Sequence, residues 1–165
     1  MSGAGPSDFD WAVRAEIYRV FADVGSSPSF EQLSAALDAS VARIGESVAV
    51  LYEAHEIAPL PDRAGVWMAN PFAATETEYP VETPTMTVYA NCAWDALGVP
   101  AILGTDGWTR TRCQESHVAM EFGVRDGRLE GDDSDKLDVD YDLLDPSSRI
   151  VRTIHSDGAS DYHTI

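Results

Sequence analysis

The stretch Val88-Tyr89-Ala90-Asn91-Cys92-Ala93-Trp94-Asp95-Ala96-Leu97-Gly98-Val99-Pro100 decides how the chain is read. It sets a cysteine three residues before an aspartate. On a helix, positions i and i+3 share a face, so the Cys92 sulfur and the Asp95 carboxylate point into one site. Ala93, Trp94, Ala96 and Leu97 supply the packing around them. Gly98 and Pro100 are expected to end this helix. Two readings of the pair stand side by side. In one, a thiolate works beside a proton donor. In the other, Cys92 is a small buried hydrophobe and Asp95 a solvated or capping carboxylate.

Outward from this helix, short strand-like runs follow at Trp108–Cys113, Val118–Val124, Leu137–Leu143 and Ile150–Ile154, with turn signals at Asp106-Gly107 and Asp126-Gly127. They make a small α+β unit that begins near Val88. The Asp-rich stretch from Asp132 to Asp145 alternates with Leu137, Val139 and Tyr141, as an edge strand with one solvated face does. Upstream, Asn70 to Thr87 carries Pro71, Pro80 and Pro84 without periodicity and reads as irregular.

The amino-terminal part is helical. Trp11, Val13, Ile17, Tyr18, Val20 and Phe21 recur at helical spacing over Phe9–Val24, and Gly25 is the stop. Ser29-Phe30-Glu31-Gln32 has the S-x-x-Q form of a capping box and starts a second helix through Leu37. A third runs from about Ser40 to His55. With the extended Gly65–Ala69 after them, these helices form a winged-helix-like module. The expected organisation is α+β: residues 1–74 as the winged-helix-like domain, 75–87 as an extended linker, and 88–165 as a small mixed helix and antiparallel-sheet domain.

The chain has 165 residues, 28 acidic against 11 basic, and a net charge of −17. A duplex reader needs a basic face, and the third helix offers Arg43 against Glu46, Glu53 and Glu56, so nucleic acid is disfavoured as a partner. Lys136 is the one lysine, and a surface solvated by carboxylates fits a salty cytoplasm. No apolar run reaches the roughly 18 residues of a membrane span, and no leader is recognisable. The expected location is the cytoplasm, where Cys92 and Cys113 stay reduced.

Taken together, Met68-Ala69-Asn70-Pro71-Phe72, then Asn91 to Ala101, then Cys113, resemble the alkylmercury lyase family over roughly residues 10 to 130. The resemblance implies that Cys92 attacks mercury as a thiolate and that Asp95 protonates the departing carbon. Mercury is then the substrate or product ion, and no cofactor is needed. Mercury is soft and favours thiolate, the carbanion-like carbon needs an acid, burial keeps that acid protonated, and a helix start favours an ionised Cys92. By the same resemblance Cys113 is structural, as Trp94 is by packing.

This sequence departs from the family in one respect: the family carries a further cysteine near its carboxy terminus, and here none follows Cys113. Cys92 and Asp95 are the candidate metal ligands, with His155, Asp157 and His163 as stand-ins, and His117 lies four residues after Cys113. Four functions follow: protonolysis of a carbon–mercury bond; non-catalytic holding of mercury or copper, with a homodimer supplying a second thiolate; Cys-dependent cleavage of a small metabolite; and, behind these, transcription regulation by the winged-helix-like module.

Overall fold

A computed structural model describes residues 5–60, 65–113, 117–131, 150–154 and 160–164, the last two segments as backbone. The chain divides into two compact units, Met1–Thr77 and Glu78–Ile165.

In the first unit, α1 (Asp8–Val24), α2 (Phe30–Leu37) and α3 (Val41–Glu53) pack together. Val13, Ile17 and Phe21 stand four residues apart on one face of α1 and are fully buried. Ser7 and Asp10 close a capping box at the start of α1, and Gly25 ends it in the left-handed conformation at φ 69°. Ser29 and Gln32 form the capping box expected from their spacing. The buried Asp10 carboxylate also accepts a hydrogen bond from Ser47 of α3, so this charge in the helical core is partnered. After α3 come β1 (Ala58–Pro59), β2 (Val66–Ala69) and β3 (Phe72–Ala73), paired antiparallel in that order. Phe72 stacks on Phe21 with ring centroids 5.2 Å apart, which fastens the ribbon to α1.

The second unit contains β4 (Pro80–Glu82), β5 (Thr87–Ala90), α4 (Ala93–Leu103), β6 (Gly107–Arg112), β7 (Ala119–Arg125) and β8 (Arg128–Gly131). Its strands lie in the order β5-β4-β6-β7-β8, each antiparallel to its neighbour. Alternation sends Val81, Val88, Thr109 and Phe122 inward to a buried face. Glu82, Arg110 and Glu121 point the other way and form ion pairs on an exposed face. Asp126 and Gly127 join β7 to β8 as a two-residue turn, both with positive φ, as such hairpins need. Downstream, β9 (Ile150–Ile154) pairs antiparallel with β10 (Ser160–Thr164).

The α+β class is as the sequence indicates, with two corrections of detail. The segment 75–87, read as an extended linker, contains β4, which lies between β5 and β6 in the sheet. Pro80 is tolerated there because it is the first residue of its strand. In addition, α4 runs through Gly98 and Pro100 and ends at Gly104, φ 62°. The edge strand expected from the Asp-rich stretch and the strand expected at Leu137–Leu143 lie outside the described residues.

Candidate active site

Strand β5 leads directly into α4, and Cys92 is the residue that caps the helix. Its backbone is extended, φ −153° and ψ 177°, and its Sγ accepts a hydrogen bond from the Asp95 backbone N–H at 3.4 Å. In return the thiol donates to Asp95 Oδ2 at 3.3 Å. The arrangement is a capping box written in sulfur: a serine or threonine usually holds the first place, and the acidic third residue usually reaches back to the backbone rather than to the side chain. Cys92 and Asp95 therefore meet as the spacing indicates, with Cys92 at the cap rather than inside the helix.

Burial dominates the electrostatics of the pair. It pushes the Asp95 carboxyl up to about 6, while hydrogen bonds from Cys92 and Asn91 pull the other way. Burial, reinforced by the neighbouring Asp95 charge, pushes the Cys92 thiol up to about 12. Contrary to the expectation from a helix start, Cys92 is held as a thiol: the donated N–H is outweighed by loss of solvent and by a carboxylate that already accepts the thiol proton. In neutral solution the pair shares one proton, resting on sulfur.

Ala96 and Val99 are buried beneath the helix, and Trp94 and Leu97 are half-buried. Pro100 is buried against β6, where a Cβ on Gly107 would lie 2.6 Å from Pro100 Cγ. This packing accounts for a proline inside the helix, since the ring fills a place that another element leaves open for it. Cys113, just past the end of β6, is 3 % exposed. His117, with φ 56°, donates its backbone N–H to Cys113 O at 2.9 Å, but it is exposed whereas Cys113 is buried. Among the described residues no group of three or more His, Cys, Asp and Glu side chains is arranged to hold a metal ion. His155 and Asp157 fall outside the described residues, and His163 lies in β10.

A groove of about 550 Å³ opens at the other end of α4, between Pro100, Gly104 and the Asp126-Gly127 turn, and it does not include Cys92 or Asp95. Two further residues, both on β6, carry a polar group that their place in the sequence does not mark. Thr109 Oγ1 and Thr111 Oγ1 are buried without a hydrogen-bond partner. A lone threonine in a strand carries no sequence signal that distinguishes it from its β-forming neighbours.

The family model for alkylmercury lyase, MerB, matches residues 72–141. Among solved structures, the crystal structure of the mercury-bound form of MerB2 superposes with a TM-score of 0.66 at 17 % identity, covering 96 % of this chain and 75 % of that one. At that identity the likeness is one of fold. No curated protein matches the chain. The matched range includes Cys92 and Asp95, and the resemblance of this chain to the alkylmercury lyase family is shown by the match that runs from Phe72 to Tyr141.

Proposed function

We propose that the protein cleaves the carbon–mercury bond of a small organomercurial by protonolysis, with Cys92 as the mercury-binding nucleophile and Asp95 as the proton carrier. The observation that carries this reading is the Cys92 S–H to Asp95 Oδ2 hydrogen bond at 3.3 Å, within the segment that matches the family.

The chemistry follows from where the proton rests. An organomercury cation, delivered as its thiolate complex, bonds to Cys92 sulfur as its bond to the carrier sulfur breaks, and the carrier thiolate leaves into solvent. The thiol proton moves along the existing hydrogen bond to Asp95, whose proton affinity burial has already raised. The sulfur–mercury–carbon unit is then neutral, and Asp95 holds the proton that the carbon needs. Transfer of that proton to carbon breaks the carbon–mercury bond and releases the hydrocarbon. Asp95 returns to a carboxylate beside a mercury ion held by Cys92, a second donor of opposite charge where the family has a second thiolate. External thiols then carry the ion away. No cofactor takes part, and a thiol-rich cytoplasm supplies both substrate complex and acceptor.

The test is hydrocarbon release from methylmercury in excess thiol by wild type, Cys92→Ser and Asp95→Ala, with mercury bound per subunit counted alongside. Release by wild type alone is the expected result; equal release by Asp95→Ala would overturn the proton-carrier role. Cys92 and Asp95 have no third His, Cys, Asp or Glu arranged with them to hold a metal among the described residues, and a thiol so placed also suits one second reading, in which Cys92 holds mercury or copper without cleaving anything. Binding near one metal per two subunits, with metal-dependent dimers and no hydrocarbon, would select it.

A further inference from the structure

Strand β6 carries a polar strip that the proposed chemistry does not use. The Cβ direction at Gly107 meets Pro100, so that side of β6 faces α4. Side chains alternate along a strand, which puts Thr109 and Thr111 on the same side. Thr109 is 1 % exposed, and the hydroxyl oxygens of both residues are buried without a partner. A buried hydroxyl left unpaired is costly, and two in one row point to something that pairs with both.

Two independent measures set Thr111 at the level of Cys92. β5 and β6 are each antiparallel to β4, so they run in the same sense, and the end of β5 that leads into Cys92 lies at the same edge as the end of β6. Going back from Pro100 to Cys92 descends about 12 Å of helix at 1.5 Å per residue. Going from Gly107 to Thr111 advances about 13 Å of strand at 3.3 Å per residue. The second measure is register. Ala90 N–H donates to Tyr79 O at 3.0 Å, and the Val81–Thr109 pairing continued two residues sets Tyr79 opposite Thr111. Thr111 thus shares a row across the sheet with Ala90, just upstream of Cys92.

We propose that Thr109 and Thr111 hold one buried water beneath the first turn of α4, and that Thr111 positions the Cys92–Asp95 pair through it. Residues two apart on a strand have backbones about 6.6 Å apart, too far for a direct hydrogen bond between regular side chains, whereas one water making two bonds of about 2.8 Å joins oxygens about 4.5 Å apart, so the two hydroxyls lean toward it. Accepting from both hydroxyls, the water keeps two donors, and one of them is directed to the α4 cap. Arg110 and Arg112 alternate to the opposite face and do not compete for it.

The positioning half of this proposal rests on the protonolysis reading; the water does not. Thr111→Val keeps the shape and removes the hydroxyl, whereas Thr111→Ser keeps the hydroxyl and removes a methyl. The melting midpoint of Thr111→Val is expected to fall by about 2–4 °C, because the water loses its anchor; a rise, as from deleting a dry hydroxyl, overturns the water site. In the methylmercury assay Thr111→Val is expected to lose about tenfold in kcat at unchanged KM, with Thr111→Ser restored to within about twofold. Pure packing would spare valine and penalise serine, and that order overturns the positioning role. Wild-type protein that releases no hydrocarbon overturns the protonolysis reading and the positioning role with it, while the melting comparison still decides the water. If Thr111→Val does not fold, a crystal structure of the wild type decides: an ordered water within about 3.2 Å of both hydroxyls supports the site, and its absence overturns it.

Discussion

Burial at the start of α4 makes the Asp95 carboxyl costly to ionise in the folded chain. The folded chain raises its carboxyl from 3.8 to about 6, so the folded state holds that proton more tightly than the unfolded state does. The linked stabilisation is complete below the unfolded value and is lost as pH rises through about 6. Asp95→Asn removes the dependence. Its unfolding free energy in urea should exceed that of wild type by as much as about 3 kcal/mol at pH 7, and the two proteins should converge below pH 4; equal gains at both pH values would count against a buried carboxylate. The approach of Cys92 to Asp95 was legible in the sequence, because a three-residue offset is a local rule. The protonation state was not. It depends on solvent exclusion around α4, which residues distant in the chain create, and that exclusion reversed the expected effect of a helix start on Cys92.

Elements set by local chemistry were read correctly, and elements set by packing were not. The Ser29–Gln32 box and the Gly25 stop need only their own neighbours. Pro100, by contrast, continues α4 because β6 offers it Gly107, and β4 forms in a proline-rich stretch because strands on both sides complete its pairing. Gly107→Ala tests the first of these. The new methyl would crowd Pro100 Cγ and Val81 Cγ1 at 2.6 and 3.0 Å, so a loss of about 1–3 kcal/mol is expected in urea unfolding. Adding Pro100→Ala should recover part of that loss, a coupling that two independent sites would not show.

At the scale of the whole molecule, charge is the dominant fact. Arginines at 14, 19, 43, 110 and 125 are already engaged by carboxylates, leaving most of the surplus of 28 acidic over 11 basic residues unopposed. Self-repulsion of that kind weakens with ionic strength, so the melting midpoint should climb between 0.05 and 1 M sodium chloride at roughly constant pH; a flat or falling curve would mean the repulsion is not felt. The same engagement bears on α3, where Arg43 lies 3.4 Å from Glu46 and stacks over Phe9, and a fluorescent duplex should show no binding at low salt. The sulfur cap of α4 has a consequence for this whole balance. Serine is the stronger cap, so Cys92→Ser is expected to melt higher than the wild type by about 2–4 °C while losing its reactive atom. Any lineage or laboratory selection that rewards heat tolerance alone would drift toward an oxygen at position 92, and would arrive at a sturdier protein without the thiol that the proposed chemistry needs.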